Sequence, residues 1–153
     1  MPIFLADIRY CSLKDAPDVC FVEERSSAAP WPRTLIRRDL AGDTPMLYLG
    51  AWGKDILLGF AALGPCEKGT ELTNIAVLPE YRRKGIGSQL VLGVSEVALS
   101  LGYSRIYLHV RVSHEESRTF YGGFDFSSLY VVPGYYLDGE DALFMEALLP
   151  LPV

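Results

Sequence analysis

Residues 70–101 read TELTNIAVLPEYRRKGIGSQLVLGVSEVALSL, and this stretch decides the fold. Glu71 to Leu78 is an apolar run with β-branched residues, which predicts a buried strand. Pro79 ends the run, and the basic, glycine-rich segment Arg82-Arg83-Lys84-Gly85-Ile86-Gly87-Ser88 follows. Beyond it, Leu90, Val91, Val94, Val97, Ala98 and Leu101 recur at helical spacing, with Gly102 as a stop. A strand therefore feeds a glycine-rich turn that opens a helix. The first turn of a helix offers free backbone N–H groups and the positive end of the helix dipole. Glycines admit a ligand close to that backbone, and adjacent cations add full charge. Such a turn suits a phosphate or pyrophosphate; taken alone, it is equally an ordinary solvated helix start.

Neighbouring motifs fail on detail. A P-loop needs Gly-x-x-x-x-Gly-Lys-Ser/Thr, and the order here is different. A dinucleotide fingerprint needs a third glycine, but Gly85-Ile86-Gly87 runs on into Ser88, Gln89 and Leu90. The basic cluster is short and the chain carries a net charge of −5, which argues against nucleic acid and against an anionic membrane surface. The same charge is compatible with attracting amines.

The chain has 153 residues, half of them apolar and 12% aromatic, enough for one domain with a core. No run is long and apolar enough to cross a membrane, and Met1-Pro2-Ile3-Phe4 lacks the pattern of a signal peptide. Cys11, Cys20 and Cys66 sit at no metal-ligand spacing. They read as free thiols of a reducing cytosol, and no metal is expected.

Outward from the central stretch, the elements fall in a simple order. Ile3 to Tyr10 reads as an edge strand, and Ser12 and Asp15 as helix caps. Asp15 to Ser27 is expected to be helical, with Val19, Phe21 and Val22 as its apolar part and Glu23 and Glu24 near its end. Pro30-Trp31-Pro32-Arg33 breaks the chain before a short helix over Thr34 to Leu40. Met46 to Trp52 and Ile56 to Leu63 form a hairpin about Gly53-Lys54-Asp55, and Gly64 to Gly69 is a loop. After the central helix, Ser104 to Val112 is a strand with Ile106, Leu108 and Val110 on one face and Tyr107, His109 and Arg111 on the other. Ser113 with Glu116 makes a capping box for a short helix that carries Tyr121 and ends at Gly122-Gly123. Phe126 to Val132 and Asp141 to Leu149 are strands joined by a loop centred on Tyr135-Tyr136.

The spacing Arg82-x-x-Gly85-x-Gly87 after such a strand resembles the acetyl-CoA motif of the GNAT (Gcn5-related) N-acetyltransferases. The acidic helix end, the Pro30-Trp31 pair and the hairpin leading to Leu72-Thr73-Asn74-Ile75-Ala76-Val77 also resemble the ribosomal-protein alanine N-acetyltransferase branch. The resemblance spans nearly the whole chain and is weakest before Met46. It implies one α/β domain over residues 1–153: a mixed, mainly antiparallel sheet of about seven strands with helices on both faces. It implies that acetyl-CoA lies where the fourth and fifth strands splay, its pyrophosphate on the backbone of Arg82, Arg83, Lys84, Gly85, Ile86, Gly87 and Ser88. Ile75, Ala76, Val77 and His114 are implied as further cofactor contacts.

Acetyl transfer from a thioester needs a base for the amine, a donor for the developing oxyanion and a proton for the leaving thiolate. Glu71, at the start of the strand, resembles the glutamate that often serves as base in the superfamily. His109 is the second candidate, because an unperturbed histidine ionises near the pH where a base is most useful. It also resembles the histidine of Leu-His-Val in a eukaryotic N-terminal acetyltransferase branch, where the alanine branch has glutamate. The two would stand on neighbouring parallel strands and could act together. Tyr121 resembles the superfamily's acid, and phenol and alkyl thiol acidities are comparable. Trp31, Tyr135 and Tyr136 are implied to line the acceptor site, since rigid hydroxylated aromatics suit a peptide backbone.

Two positions depart from the family pattern: His114 replaces an asparagine that contacts the pantetheine arm, and Asp125 stands where a glycine is usual. The expected activity is acetylation of a protein N-terminal α-amine by a cytoplasmic enzyme, monomeric or homodimeric. Alternatives are acetylation of a small amine, such as a polyamine or antibiotic, and a CoA-binding regulator without turnover. A mere binder would need none of Glu71, His109 and Tyr121.

Overall fold

A computed structural model describes residues 4–152. The elements are β1 (Asp7–Tyr10), α1 (Ala16–Ser26), α2 (Arg33–Leu40), β2 (Leu47–Gly53), β3 (Ile56–Cys66), β4 (Gly69–Val77), α3 (Ile86–Ser100), β5 (Arg105–Arg111), α4 (Glu115–Gly122), β6 (Ser127–Val132) and β7 (Ala142–Leu148). Seven strands form one sheet in the order β1-β2-β3-β4-β5-β7-β6. β4 and β5 run parallel, while β1–β2, β2–β3, β5–β7 and β6–β7 are antiparallel, so the sheet is mixed and mainly antiparallel. Two compact units can be distinguished. One holds the chain up to Pro65 with Leu72–Val94; the other holds Cys66–Glu71 with the chain from Ser95 onward.

In the first unit, β2 and β3 make the expected hairpin, with Lys54 at φ 59° in its turn. β3 approaches β4 so closely that a Cβ at Gly59 would sit 2.7 Å from the Ala76 carbonyl oxygen, so only glycine fits there. The apolar stripe of α1 (Val19, Cys20, Val22) packs with Ile36, Tyr48, Trp52, Leu57 and Phe60. Each such fully buried side chain contributes about 1.5–3 kcal/mol of burial free energy. Tyr48 stacks on Phe60 at 5.6 Å, and its hydroxyl donates to Asp39 Oδ2 at 2.6 Å. Thr44 Oγ1 donates to Asp39 Oδ1 at 2.7 Å, so both oxygens of this buried carboxylate are satisfied.

In the second unit, the alternation of β5 is as its sequence implies. Ile106, Leu108 and Val110 are buried, and Tyr107, His109 and Arg111 share the opposite face. Opposite them on β7 stand Glu146, Phe144 and Ala142.

Several local expectations need correction. Phe21 is half exposed, and Ala16 and Cys20 join Val19 and Val22 on the buried stripe instead, because residue 21 falls outside that stripe. Leu13–Asp15 is a separate turn of 3-10 helix capped by Ser12, and α1 starts at Ala16. β3 continues through Gly64 and Pro65 to Cys66, which shrinks the expected loop to a turn at Glu67-Lys68. α4 is capped at His114, not Ser113, because the Ser113 amide is taken by the Glu140 carboxylate at 3.0 Å. The strand expected from Ile3 begins at Asp7, and Ile3 itself lies outside the described residues.

Candidate active site

The turn between β4 and α3 belongs to the first unit. Arg83 at φ 61° and Gly85 at φ 81° are left-handed, and together they reverse the chain into the helix. The first helical hydrogen bond runs from the Gln89 amide to the Gly85 carbonyl at 3.1 Å. The amides of Gly85, Ile86, Gly87 and Ser88 therefore precede the ladder and have no acceptor within the helix. Arg82 spends its guanidinium on the carbonyls of Val77 (3.3 Å) and Ser26 (3.4 Å), which braces the turn. Arg83 is exposed and Lys84 half-buried; among the described residues neither is seen in an ion pair. Gln89 also ties the turn to the N-terminal arm, donating to the Phe4 carbonyl at 2.5 Å and accepting from the Ala6 amide at 2.9 Å. Such a helix start suits an anionic phosphate. Ile75 and Val77 are half-buried and Ala76 is buried on β4.

Trp31 also lies in the first unit, edge-on to Tyr48 at 6.5 Å. Its amide donates to Glu23 Oε2 at 2.9 Å, and Asn74 Nδ2 donates to Glu23 Oε1 at 3.0 Å. Glu23 is only 2% exposed, so this carboxylate fastens the segment after α1 to β4.

The second unit holds the other candidates. Glu71 on β4 stands opposite Tyr107 on β5 in the parallel ladder. From there its Oε2 lies 2.5 Å from His109 Nδ1. Where Glu71 accepts this bond, Nδ1–H is the donor, and a neutral ring then keeps its lone pair on Nε2. Among the described residues Nε2 has no hydrogen-bond partner. The imidazole is otherwise enclosed by rings: Tyr135 stacks on it at 4.2 Å with planes 9° apart, and Phe144 is tilted against it at 4.7 Å. Tyr136 sits edge-on to Tyr135 at 5.0 Å.

Burial pushes the Tyr135 hydroxyl's pKa up, and the nearby Glu71 charge adds to the rise. Tyr136 is pushed up to about 12 by burial first and then by the charge of Tyr135. Tyr121, on α4, is buried among Phe120 and Phe126, and burial holds its hydroxyl protonated well beyond the ordinary phenol range; Tyr136 adds to that rise. Glu71, His109, Tyr135, Tyr136 and Tyr121 thus gather in one unit. His114 caps α4 and is exposed, with no side-chain capping bond. Asp125, at the position where glycine is usual, has φ 65°, the conformation glycine would take most easily.

Two sets of residues escaped the reading of the sequence. Gln89 was legible only as a break in a glycine pattern, yet it fastens the turn. Arg111 shares the His109 face by strand alternation, and that signal was present. Its partners Asp138 and Glu140 lie on a loop whose path no periodicity gives.

Residues 11–126 match the acetyltransferase (GNAT) family, and the chain belongs to it. It is 30% identical over 141 residues to a Bacillus subtilis (strain 168) protein provisionally named ribosomal protein bS18-alanine N-acetyltransferase, covering 92% of this chain and 93% of that one. Over 76 residues it is 45% identical to an N-alpha-acetyltransferase of Saccharolobus solfataricus, a match covering 48% of this chain and 45% of that protein. Among solved structures, the ribosomal-protein-S18-alanine N-acetyltransferase of Escherichia coli superposes with a TM-score of 0.83 at 25% identity, covering 96% of each chain. Arabidopsis thaliana NAA60, solved with acetyl-CoA, shares the fold at a TM-score of 0.82 and 15% identity, covering 94% of this chain and 98% of that one. The protein is an N-acetyltransferase.

Proposed function

We propose that the acceptor is the α-amine at a protein N-terminus, that His109 is the base and that Glu71 orients it. The observation that carries the reading is the 2.5 Å bond from Glu71 to His109 Nδ1, which leaves Nε2 free and directed away from its carboxylate partner. The arrangement follows the same logic as a carboxylate–histidine pair in acyl transfer. The neutral amine attacks the thioester carbonyl, the C–N bond forms, and the nitrogen's surplus proton passes to Nε2 of His109. The C–S bond then breaks, and Tyr121, kept as a neutral O–H by burial, donates its proton to the departing thiolate. Glu71 stabilises the imidazolium formed on the way.

In the same reading, the amides of Gly85 to Ser88 take the cofactor's pyrophosphate, with charge from Arg83 and Lys84 and bracing from Arg82. Ile75, Ala76, Val77 and His114 contact the rest of the cofactor. Tyr135 and Tyr136 line the acceptor. A protein N-terminus is favoured over a small amine by the relatives that act on ribosomal-protein and other N-termini. The free thiols fit a cytosolic enzyme, and burial pushes the Cys11 thiol up to about 12, which makes it inert.

The test is mass spectrometry of a peptide pool incubated with acetyl-CoA. Half the pool carries free α-amines with varied first residues; the other half is α-blocked and carries lysines. Acetylation confined to free N-termini is the expected result. Acetylation of the lysine half alone, or none at all with acetyl-CoA binding intact, would overturn the assignment.

A further inference from the structure

The nine-residue segment 133–141 between β6 and β7 carries Tyr135 and Tyr136, and one side chain of the sheet grips it. Arg111 Nη1 donates to Asp138 Oδ1 and Oδ2 at 3.1 and 2.8 Å and to Glu140 Oε1 at 2.9 Å. Its guanidinium carbon lies 4.1 Å over the Tyr136 ring. Glu140 Oε2 accepts the Ser113 amide at 3.0 Å, so the same carboxylate joins the loop to the chain leading into α4.

Within the loop, Tyr136 N donates to the Glu140 carbonyl at 3.1 Å, Gly139 N to the Tyr136 carbonyl at 2.8 Å, and Gly134 N to Asp141 Oδ1 at 2.8 Å. Those local bonds give the loop its shape. The bonds of Arg111 and Glu140 instead set where that shape sits on the sheet. Through Tyr136 and then Tyr135, that placement reaches the His109 ring.

We infer that Arg111 is the positioning residue for acceptor recognition: with Asp138 and Glu140 it holds the Tyr135–Tyr136 pair in register with His109, and so governs binding of the acceptor and not of acetyl-CoA. The inference rests on the reading that these tyrosines line the acceptor. Both carboxylates are held low. Glu140 is held at about 2 by its bonds to Ser113 and Arg111, and the Asp138 carboxyl is lowered by the Glu140 amide and by Arg111. The sign follows. A depressed carboxylate keeps its contribution above the ordinary carboxylate range and loses it as pH falls below that range, for Glu140 down to about 2. The clasp is therefore constant across the pH range of an assay.

The test is steady-state kinetics on a free-amine peptide from the acetylated fraction of the pool. Arg111→Gln is expected to raise the acceptor KM about tenfold, the size of a few partly exposed charged contacts. kcat at saturating peptide and the acetyl-CoA KM should stay within about twofold, and the ratio of variant to wild-type acceptor KM should be flat from about pH 6 to 9. Asp138→Asn/Glu140→Gln should match it, and the triple variant should be no worse than Arg111→Gln alone. A merely structural role would instead lower kcat and weaken both substrates together.

Tyr135→Ala separates the two readings. If it raises the acceptor KM while Arg111→Gln leaves it alone, the inference falls and the site reading stands. If Tyr135→Ala also leaves it alone, both fall. Should Arg111→Gln fold poorly, Asp138→Asn alone, at a carboxylate 61% exposed, is expected to raise the acceptor KM about threefold, and no change overturns the proposal.

Discussion

Replacing Glu71 with glutamine removes one charge and keeps the size of the side chain. In the wild type, Glu71 Oε2 is 2.5 Å from His109 Nδ1, and the two side chains are 11% and 17% exposed. When His109 takes the amine's proton, an imidazolium faces a carboxylate whose centre of charge is about 4 Å away, an attraction of about 4 kcal/mol at an effective dielectric of 20. The glutamine carbonyl can still accept from Nδ1, and a neutral bond retains about 1 kcal/mol. The residual exposure removes some of the remainder, so about 2–3 kcal/mol of transition-state stabilisation is lost. At 1.36 kcal/mol per decade that is about a 30- to 150-fold fall in kcat/KM for the acceptor. Release of CoA, followed with a thiol reagent, reads kcat/KM, and calorimetry reads acetyl-CoA affinity, which should be unchanged. Because Glu71 acts through His109, Glu71→Gln/His109→Ala should be no slower than His109→Ala. A Glu71→Gln enzyme with normal kcat/KM, or a double variant whose losses multiply, would refute the reasoning.

Other outcomes follow from the same structure. Gly87→Glu places a carboxylate among the helix-start amides and should abolish acetyl-CoA binding in calorimetry while the protein stays folded by circular dichroism. Tyr121→Phe should lower kcat by about tenfold or more and leave the shape of the pH–rate profile unchanged. Because the hydroxyl's pKa is raised, its proton is present throughout the assay range, and no alkaline fall in rate should trace to it. Asp39→Ala strands the hydroxyls of Tyr48 and Thr44 in a buried site and should cost about 2–3 kcal/mol in chemical denaturation. Tyr48→Phe, which leaves Asp39 its bond from Thr44, should cost less.

Much of the fold was readable because its signals are local. The apolar run of β4, the glycine-rich turn and the helical spacing of α3 each sit within a few residues, and the alternation of β5 separates Ile106, Leu108 and Val110 from Tyr107, His109 and Arg111 without any long-range information. The meeting of Glu71 with His109 was legible once two strands were read as parallel neighbours. What was missed depended on contacts distant in sequence. β3 runs through Gly64 and Pro65, residues that ordinarily mark a turn, up to the short turn at Glu67-Lys68. The capping box at Ser113 failed because Glu140, from a distant loop, takes the Ser113 amide. Phe21 looked like core by its chemistry and lies on the exposed side of α1, where only the true helix start at Ala16 sets the phase. The grip of Arg111 on segment 133–141 has no sequence period at all, since loop paths are set by the partners they find.

The central claim is that Glu71 holds His109 with its proton on Nδ1 and a free lone pair on Nε2. Nitrogen-15 NMR of histidine-labelled enzyme, assigned with His109→Ala, reads that tautomer directly. A neutral His109 with a protonated Nδ1 and an unprotonated Nε2, reverting to the ordinary mixture of tautomers in Glu71→Ala, which removes the acceptor, is the predicted result. A neutral ring protonated on Nε2 and unaffected by Glu71→Ala would contradict it.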